Sequence, residues 1–155
     1  MNQVYPKAIA TIEQNTPDAP GIRVITMVNS EAEEHAVNTA VAYQDAFNEG
    51  DVKKTDSFLN FPHARVGADG KLVIAAKPGE TLPTDFFERF RKVYGWNHSC
   101  WDSRTVIQSN ADKVHLMVTF SRYRTDGSKI GTFPSIWVIT NQVGHWGIKM
   151  RSSYA

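Results

Sequence analysis

The sequence predicts an α+β domain in which helices pack on one face of a curved, mainly antiparallel sheet. Three observations carry this. A well-marked amphipathic helix begins at residue 30, and a short helix, a hairpin and an aromatic helix follow it. From Asn97 onward, runs that alternate in steps of two are separated by short turn signals. At 155 residues the chain can bury one good core. Its 41% hydrophobic and 21% charged residues exclude a disordered chain or a fibre.

Residues 1–29 read as an N-terminal arm of uncertain order, ahead of a domain at 30–155. QNTPDAPG (14–21), with two prolines and a glycine, marks a loop or extended arm. IRVITMV (22–28) fits either a strand or an arm packed on a partner. Ser30 followed by Glu33 makes a capping box, and Ala36, Val37, Ala40, Val41, Tyr43 and Phe47 recur at helical steps. Gly50 ends this helix, and Asp51 caps a second short one through Leu59.

FPHARVG (61–67) and KLVIAAK (71–77) flank Ala68-Asp69-Gly70 and predict a hairpin. Asp85 with Glu88 opens the aromatic helix, whose Phe86, Phe87, Phe90, Val93 and Tyr94 precede a stop at Gly95. Then come NHSCWDSRTVIQS, KVHLMVTFSRYR, IGTFPSIWVIT and HWGIKMRSS, an antiparallel meander. Pro134 cannot donate a ladder hydrogen bond, so an edge or a bulge is expected there.

The formal net charge is +1 and the longest basic block is Lys53-Lys54, so neither nucleic acid nor an anionic membrane is an expected partner. A single cysteine, Cys100, excludes an internal disulfide and fits a reducing compartment. The N-terminus lacks the basic start and apolar run of a signal peptide, and no apolar run is long enough to span a bilayer. A soluble, cytoplasmic protein is the expectation. With no HxxxH or Cys-rich pairing and no glycine-rich phosphate loop, no metal or other cofactor is expected.

AVAYQDAFNEGD (40–51) resembles the first-helix signature of nuclear-transport-factor-two-like proteins, and the order of elements is similar over roughly residues 30–153. The resemblance implies a cystatin-like cone, a curved antiparallel sheet wrapped around helices with an internal pocket. Such proteins include ketosteroid isomerases, scytalone dehydratase, polyketide cyclases and epoxide hydrolases, and dimers through the sheet face are frequent among them. The stretches NFPHARV, GWNHSCWDSR and HWGIKMRSS do not choose among those chemistries.

Alternation sorts the strand residues into two faces. Val114, Leu116, Val118 and Phe120 form one face ending in Arg122. In the first meander strand the uncharged set Trp101, Ser103, Thr105 and Ile107 is expected inward, with Cys100, Asp102 and Arg104 outward. A bulge would reverse this locally. In the last strand Trp146, Ile148, Met150 and Ser152 are expected to oppose Lys149, Arg151 and Ser153. Trp137, Phe133 and Met117 among Asp102, Arg104, Lys149 and Arg151 suggest an interface on the outer face, hence a homodimer.

His63 is the first candidate for proton transfer, beside Arg65 at the pocket mouth; its plainer reading is a histidine bonded to a backbone carbonyl. His98 is the second, with a surface or dimer contact as the alternative. Arg122 at the rim can hold a carboxylate or enolate oxygen, and Tyr43 can offer its phenol to a ligand. Trp96, Trp101, Ser103, Phe120 and Met150 are expected to line the cavity, although tryptophans at such spacing are more often core. Two functions follow. One is a pocket protein for a small apolar ligand, as a binder or as a cofactor-independent isomerase, dehydratase or cyclase working on a carbonyl compound. The other is a non-catalytic dimeric ligand-binding or interaction module.

Overall fold

The computed structural model describes residues 10–16 and 19–155, so expectations for 1–9 and 17–18 lie outside the described residues. Strands β1 (Ala10–Thr16) and β2 (Ala19–Val28) precede helices α1 (Glu31–Glu49) and α2 (Val52–Ser57). Then come β3 (Leu59–Val66), β4 (Leu72–Ala75) and α3 (Phe86–Tyr94). Four long strands complete the chain: β5 (Trp96–Ser109), β6 (Lys113–Arg124), β7 (Lys129–Gln142) and β8 (His145–Ser153). The main sheet is six-stranded in the order β4-β3-β8-β7-β6-β5, and β1 and β2 form a separate antiparallel pair. Within the main sheet β3 runs parallel to β8, and the other neighbours are antiparallel.

The α1 cap forms as its sequence implies. Ser30 Oγ accepts from the Glu33 amide at 3.2 Å, and Glu33 Oε2 accepts from the Asn29 amide at 2.7 Å. Gly50 takes the left-handed conformation (φ 74°) that ends the helix. Asp85 differs: it makes no side-chain cap bond to α3 and pairs with Arg89 Nε at 3.0 Å instead. The inner face of the sheet buries Leu116, Val118, Ile139 and Ile148 against Val37, Ala40 and Tyr43 of α1.

Part of the expected arm is strand. Val24, Thr26 and Val28 of β2 are buried while Ile25 and Met27 are exposed, the period of two of a half-buried strand. Val24 and Val28 belong to the same core as α1 and the sheet.

Two bulges reset the sheet's faces. In β5, Trp101 pairs with Phe120 but Ser103 pairs with Thr119, leaving Asp102 as the extra residue. In β8, Ile148 pairs with Ile139 but Met150 pairs with Val138, leaving Lys149 extra. Each added residue inverts the alternation beyond it. Arg104 and Arg151 therefore turn inward, while Ser103, Thr105 and Met150 turn outward, the reverse of the expectation.

Trp137 and Phe133 also face inward, because register places them opposite Leu116 and Phe120. Cys100 does lie on the opposite face from Trp101, yet it is buried. Pro134 sits in an interior strand, but the edge where its missing N–H would point lies just past the end of β8, where the Tyr154 amide reaches the Pro134 carbonyl. It occupies a local edge. Among the described residues, no helix is long and apolar enough to cross a membrane.

Candidate functional site

The sheet curls around α1 and leaves a cavity of about 460 Å³ at the end covered by α3, within the range of small-molecule sites. Tyr43 and Phe47 of α1 border it on one side, and Phe86 and Phe90 of α3 on another. The inward residues of the strands complete it: His63 and Arg65, Phe120 and Arg122, Phe133 and Trp137, and Arg151. Aromatic rings form much of the walls, and three arginines stand among polar groups that also include His63, Glu80, Thr81 and Ser153.

His63 lies where the β3–β8 ladder is interrupted between Leu59 and Ala64, and its Nδ1 fills the gap by donating to the Ile148 carbonyl at 2.9 Å. Its Nε2 is then the acceptor, and Arg151 Nε donates to it at 3.3 Å. Burial first, then the positive charge of Arg151, lowers its pKa to about 4, so the ring is neutral at pH 7. Arg151 Nη1 donates to the Tyr43 hydroxyl at 2.7 Å, and its guanidinium lies 4.9 Å from the Tyr43 ring centre. Tyr43 in turn packs edge-on against Trp137 at 5.5 Å. His63 and Tyr43 thus fix one guanidinium in place.

Arg122 is held by rings instead. Its guanidinium carbon lies 4.9 Å from the centres of Phe90 and Phe133, 5.5 Å from Phe120 and 5.9 Å from Phe47. Its Nε is buried without a hydrogen-bond acceptor among the described residues. Burial lowers its pKa to about 10, which leaves it cationic at neutral pH. Arg65 donates to the Ala155 carbonyl, and its pKa is also lowered, by burial and then by Arg151.

The site thus brings together His63, Arg65, Tyr43, Phe120 and Arg122 among the residues singled out in the sequence. The others lie elsewhere. Ser103 is exposed and Met150 lies on the outer face, because of the bulges at Asp102 and Lys149. Trp96 is buried between Phe47, Phe87 and Phe90, and Trp101 is buried in the main core, so both are packing residues rather than walls.

His98 stacks on Tyr123 (centroids 5.4 Å apart, 10° between planes), and its Nδ1 lies 2.9 Å from Asn97 Oδ1. It does not border the cavity, which removes the geometric basis for a proton-transfer role. Asp102 bonds to Ser121 on the outer face at 2.7 Å. Sequence reasoning missed Arg151, Trp137 and Phe133 as pocket residues. Counting across the turn between β6 and β7 places Trp137 opposite Leu116, a signal that could have found it.

This cone, with its aromatic, cation-bearing cavity, defines a small α+β pocket domain. The chain belongs to the family described as NTF2-like protein (DUF6841), which it matches over residues 32–153. No curated protein matches it. Among solved structures it is similar to a protein of unknown function with a cystatin-like fold from Nostoc punctiforme. That pair shares 16% identity and a TM-score of 0.64, over 81% of this chain and 92% of the other. An NTF2-like protein from Novosphingobium aromaticivorans shares 11% identity and a TM-score of 0.65, over 80% and 81%. A ketosteroid isomerase-like protein from Erwinia carotovora atroseptica shares 14% identity and a TM-score of 0.57, over 81% and 96%. At such identities the likeness is one of fold.

Proposed function

We propose that this chain is a small-molecule pocket protein whose cavity encloses a compact, largely apolar compound carrying a polar oxygen function. One observation carries the reading: the inner end of the cone is a 460 Å³ cavity in which aromatic rings surround convergent polar groups. Native mass spectrometry of the protein purified from its own cells tests it. The expected result is a retained small molecule at one copy per chain, lost when Phe90→Trp fills the cavity. A bare chain mass in every preparation, with no small molecule protecting the fold against heat, would count against it.

A second reading, turnover by proton transfer, is favoured by the neutral His63 and by the ketosteroid isomerase-like relative in fold. In that version Arg151 moves off His63 Nε2, which then takes the proton from carbon next to a carbonyl, while Arg122 or Tyr43 stabilises the developing oxyanion. The outcome is an isomerisation, dehydration or polyketide-cyclase-like ring closure without a cofactor. His63→Ala separates the readings: it abolishes turnover if His63 moves the proton, and only loosens binding if His63 serves to hold Arg151.

The outer sheet face supports a homodimer, and the single cysteine fits the reducing cytoplasm. Met117 pairs with Ile136, and in the adjacent row Val138 pairs with Met150. Met117, Ile136 and Met150 are exposed, so these rows form an apolar patch of the kind that monomers seldom leave open. A two-fold axis through it would bury the same residues on both copies. Sedimentation should give twice the chain mass for the wild type and a single-chain mass for Met117→Lys with Ile136→Lys. A wild-type monomer at tens of micromolar would sink the dimer.

A further inference from the structure

The cavity holds more positive charge than its packing requires. Arg65 of β3 and Arg151 of β8 are direct register partners on adjacent strands, a placement that costs stability for like charges. Arg122 joins them from β6. Among the described residues, none of the three makes an ion pair with an aspartate or glutamate, and Arg65 alone of them donates to a backbone oxygen, that of Ala155 at the cavity wall. Glu80 lines the same cavity, but its Oε2 accepts from the Ala76 amide at 2.8 Å within its own loop.

The neutral groups near these arginines orient them without balancing their charge. Arg151 points one N–H at His63 and another at Tyr43. The rings around Arg122 stabilise a cation through their faces, yet none offers its N–H groups an acceptor. A half-buried cation that is cushioned by rings but makes no hydrogen bond to the protein keeps its donors for an acceptor that enters the cavity. The planar guanidinium fork matches a carboxylate, and the apolar walls match a flat carbon skeleton rather than a small inorganic ion.

We propose that the ligand of this pocket is an organic carboxylate with a flat, aromatic or alicyclic body, its carboxylate facing Arg122, Arg151 and Arg65 and its body lying among Phe90, Phe120 and Phe133. This rests on the pocket reading above and adds the charge of the ligand to it. His63 is then a positioning residue that holds Arg151 toward the anion.

Calorimetric titration with 2-naphthoate and its neutral isostere 2-naphthamide tests the assignment, on the wild type and on Arg122→Gln and Arg122→Lys. Inorganic phosphate serves as a third probe. The expected result is naphthoate binding at least about tenfold tighter than naphthamide. Arg122→Gln should bring naphthoate down to the level of naphthamide while leaving naphthamide unchanged. Arg122→Lys, which keeps charge but loses the fork, should fall between. Circular dichroism of each variant checks that it is folded, and Arg151→Gln gives a second removal of charge should Arg122→Gln fail to fold.

Equal affinity for naphthoate and naphthamide overturns the carboxylate assignment and leaves the pocket reading standing. Phosphate binding as tightly as naphthoate overturns the organic body. Binding of no probe at millimolar concentration overturns both the assignment and the pocket.

Discussion

Arg104, buried, and Arg122, half-buried, are two arginines on the inner face of one sheet, and they are treated in opposite ways. Arg104, turned inward by the bulge at Asp102, donates from Nε to Thr26 Oγ1 at 3.1 Å and from Nη2 to the Val24 carbonyl at 3.2 Å. It also lies over the Trp101 ring at 5.3 Å. Arg122 borders the cavity, surrounded by phenylalanines, with its buried Nε lacking a protein acceptor. Burial lowers the pKa of both to about 10. The size of that shift is therefore not what separates them. Arg104 ties β2 to β5 and is a structural bolt, whereas Arg122 borders the cavity and ties no two strands together.

The sharpest way to break this comparison is to remove Arg104. Arg104→Met should destabilise the fold by roughly 3–4 kcal/mol, since charged hydrogen bonds and a buried carbonyl lose their partner. Urea unfolding measures this, and a loss below roughly 1 kcal/mol would deny the bolt.

The next effect belongs to His63. Its folded pKa of about 4 lies below the ordinary histidine value of 6.5, so the unfolded chain binds more protons between those values. Its contribution is full above pH 6.5 and is lost as pH falls toward 4, a change on the order of 3 kcal/mol at most. Unfolding free energies across that range should fall steeply for the wild type and less steeply for His63→Gln. Parallel curves would contradict a buried neutral ring. The smallest effect is expected at Ser103, which the Asp102 bulge turns outward. Ser103→Ala should change stability by less than about 0.5 kcal/mol and leave ligand affinity unaltered.

The fold was legible because its signals are local or periodic. Ser30, Glu33 and Gly50 bound α1, the turn at 68–70 marks the hairpin, and the alternation of Val114 to Phe120 identifies the inner face. His63, Arg65, Tyr43, Phe120 and Arg122 also fall together at the cavity. Alternation failed where one residue was inserted. Asp102-Ser103 and Lys149-Met150 carry no local mark of a bulge, since either member of each pair can face outward. Everything beyond each insertion was therefore inverted, which placed Arg104 and Arg151 outside and Met150 inside. The stretch GWNHSCWDSR looks chemical in sequence but serves packing, with Trp96 and Trp101 buried and Asp102 making the bulge that turns Arg104 inward.

The claim that Arg122 serves the cavity rather than the fold is tested most directly by the thermal melt of Arg122→Met, with and without 2-naphthoate. Without the carboxylate, the variant should melt at the wild-type temperature or higher, because a half-buried cation with no protein acceptor has been replaced by an apolar side chain of similar length. For a chain of this size each kcal/mol gained raises the midpoint by about 2–4 °C. Saturating naphthoate should then raise the wild-type midpoint and leave that of the variant unmoved. A variant that melts well below the wild type, or that naphthoate still protects, would contradict the account.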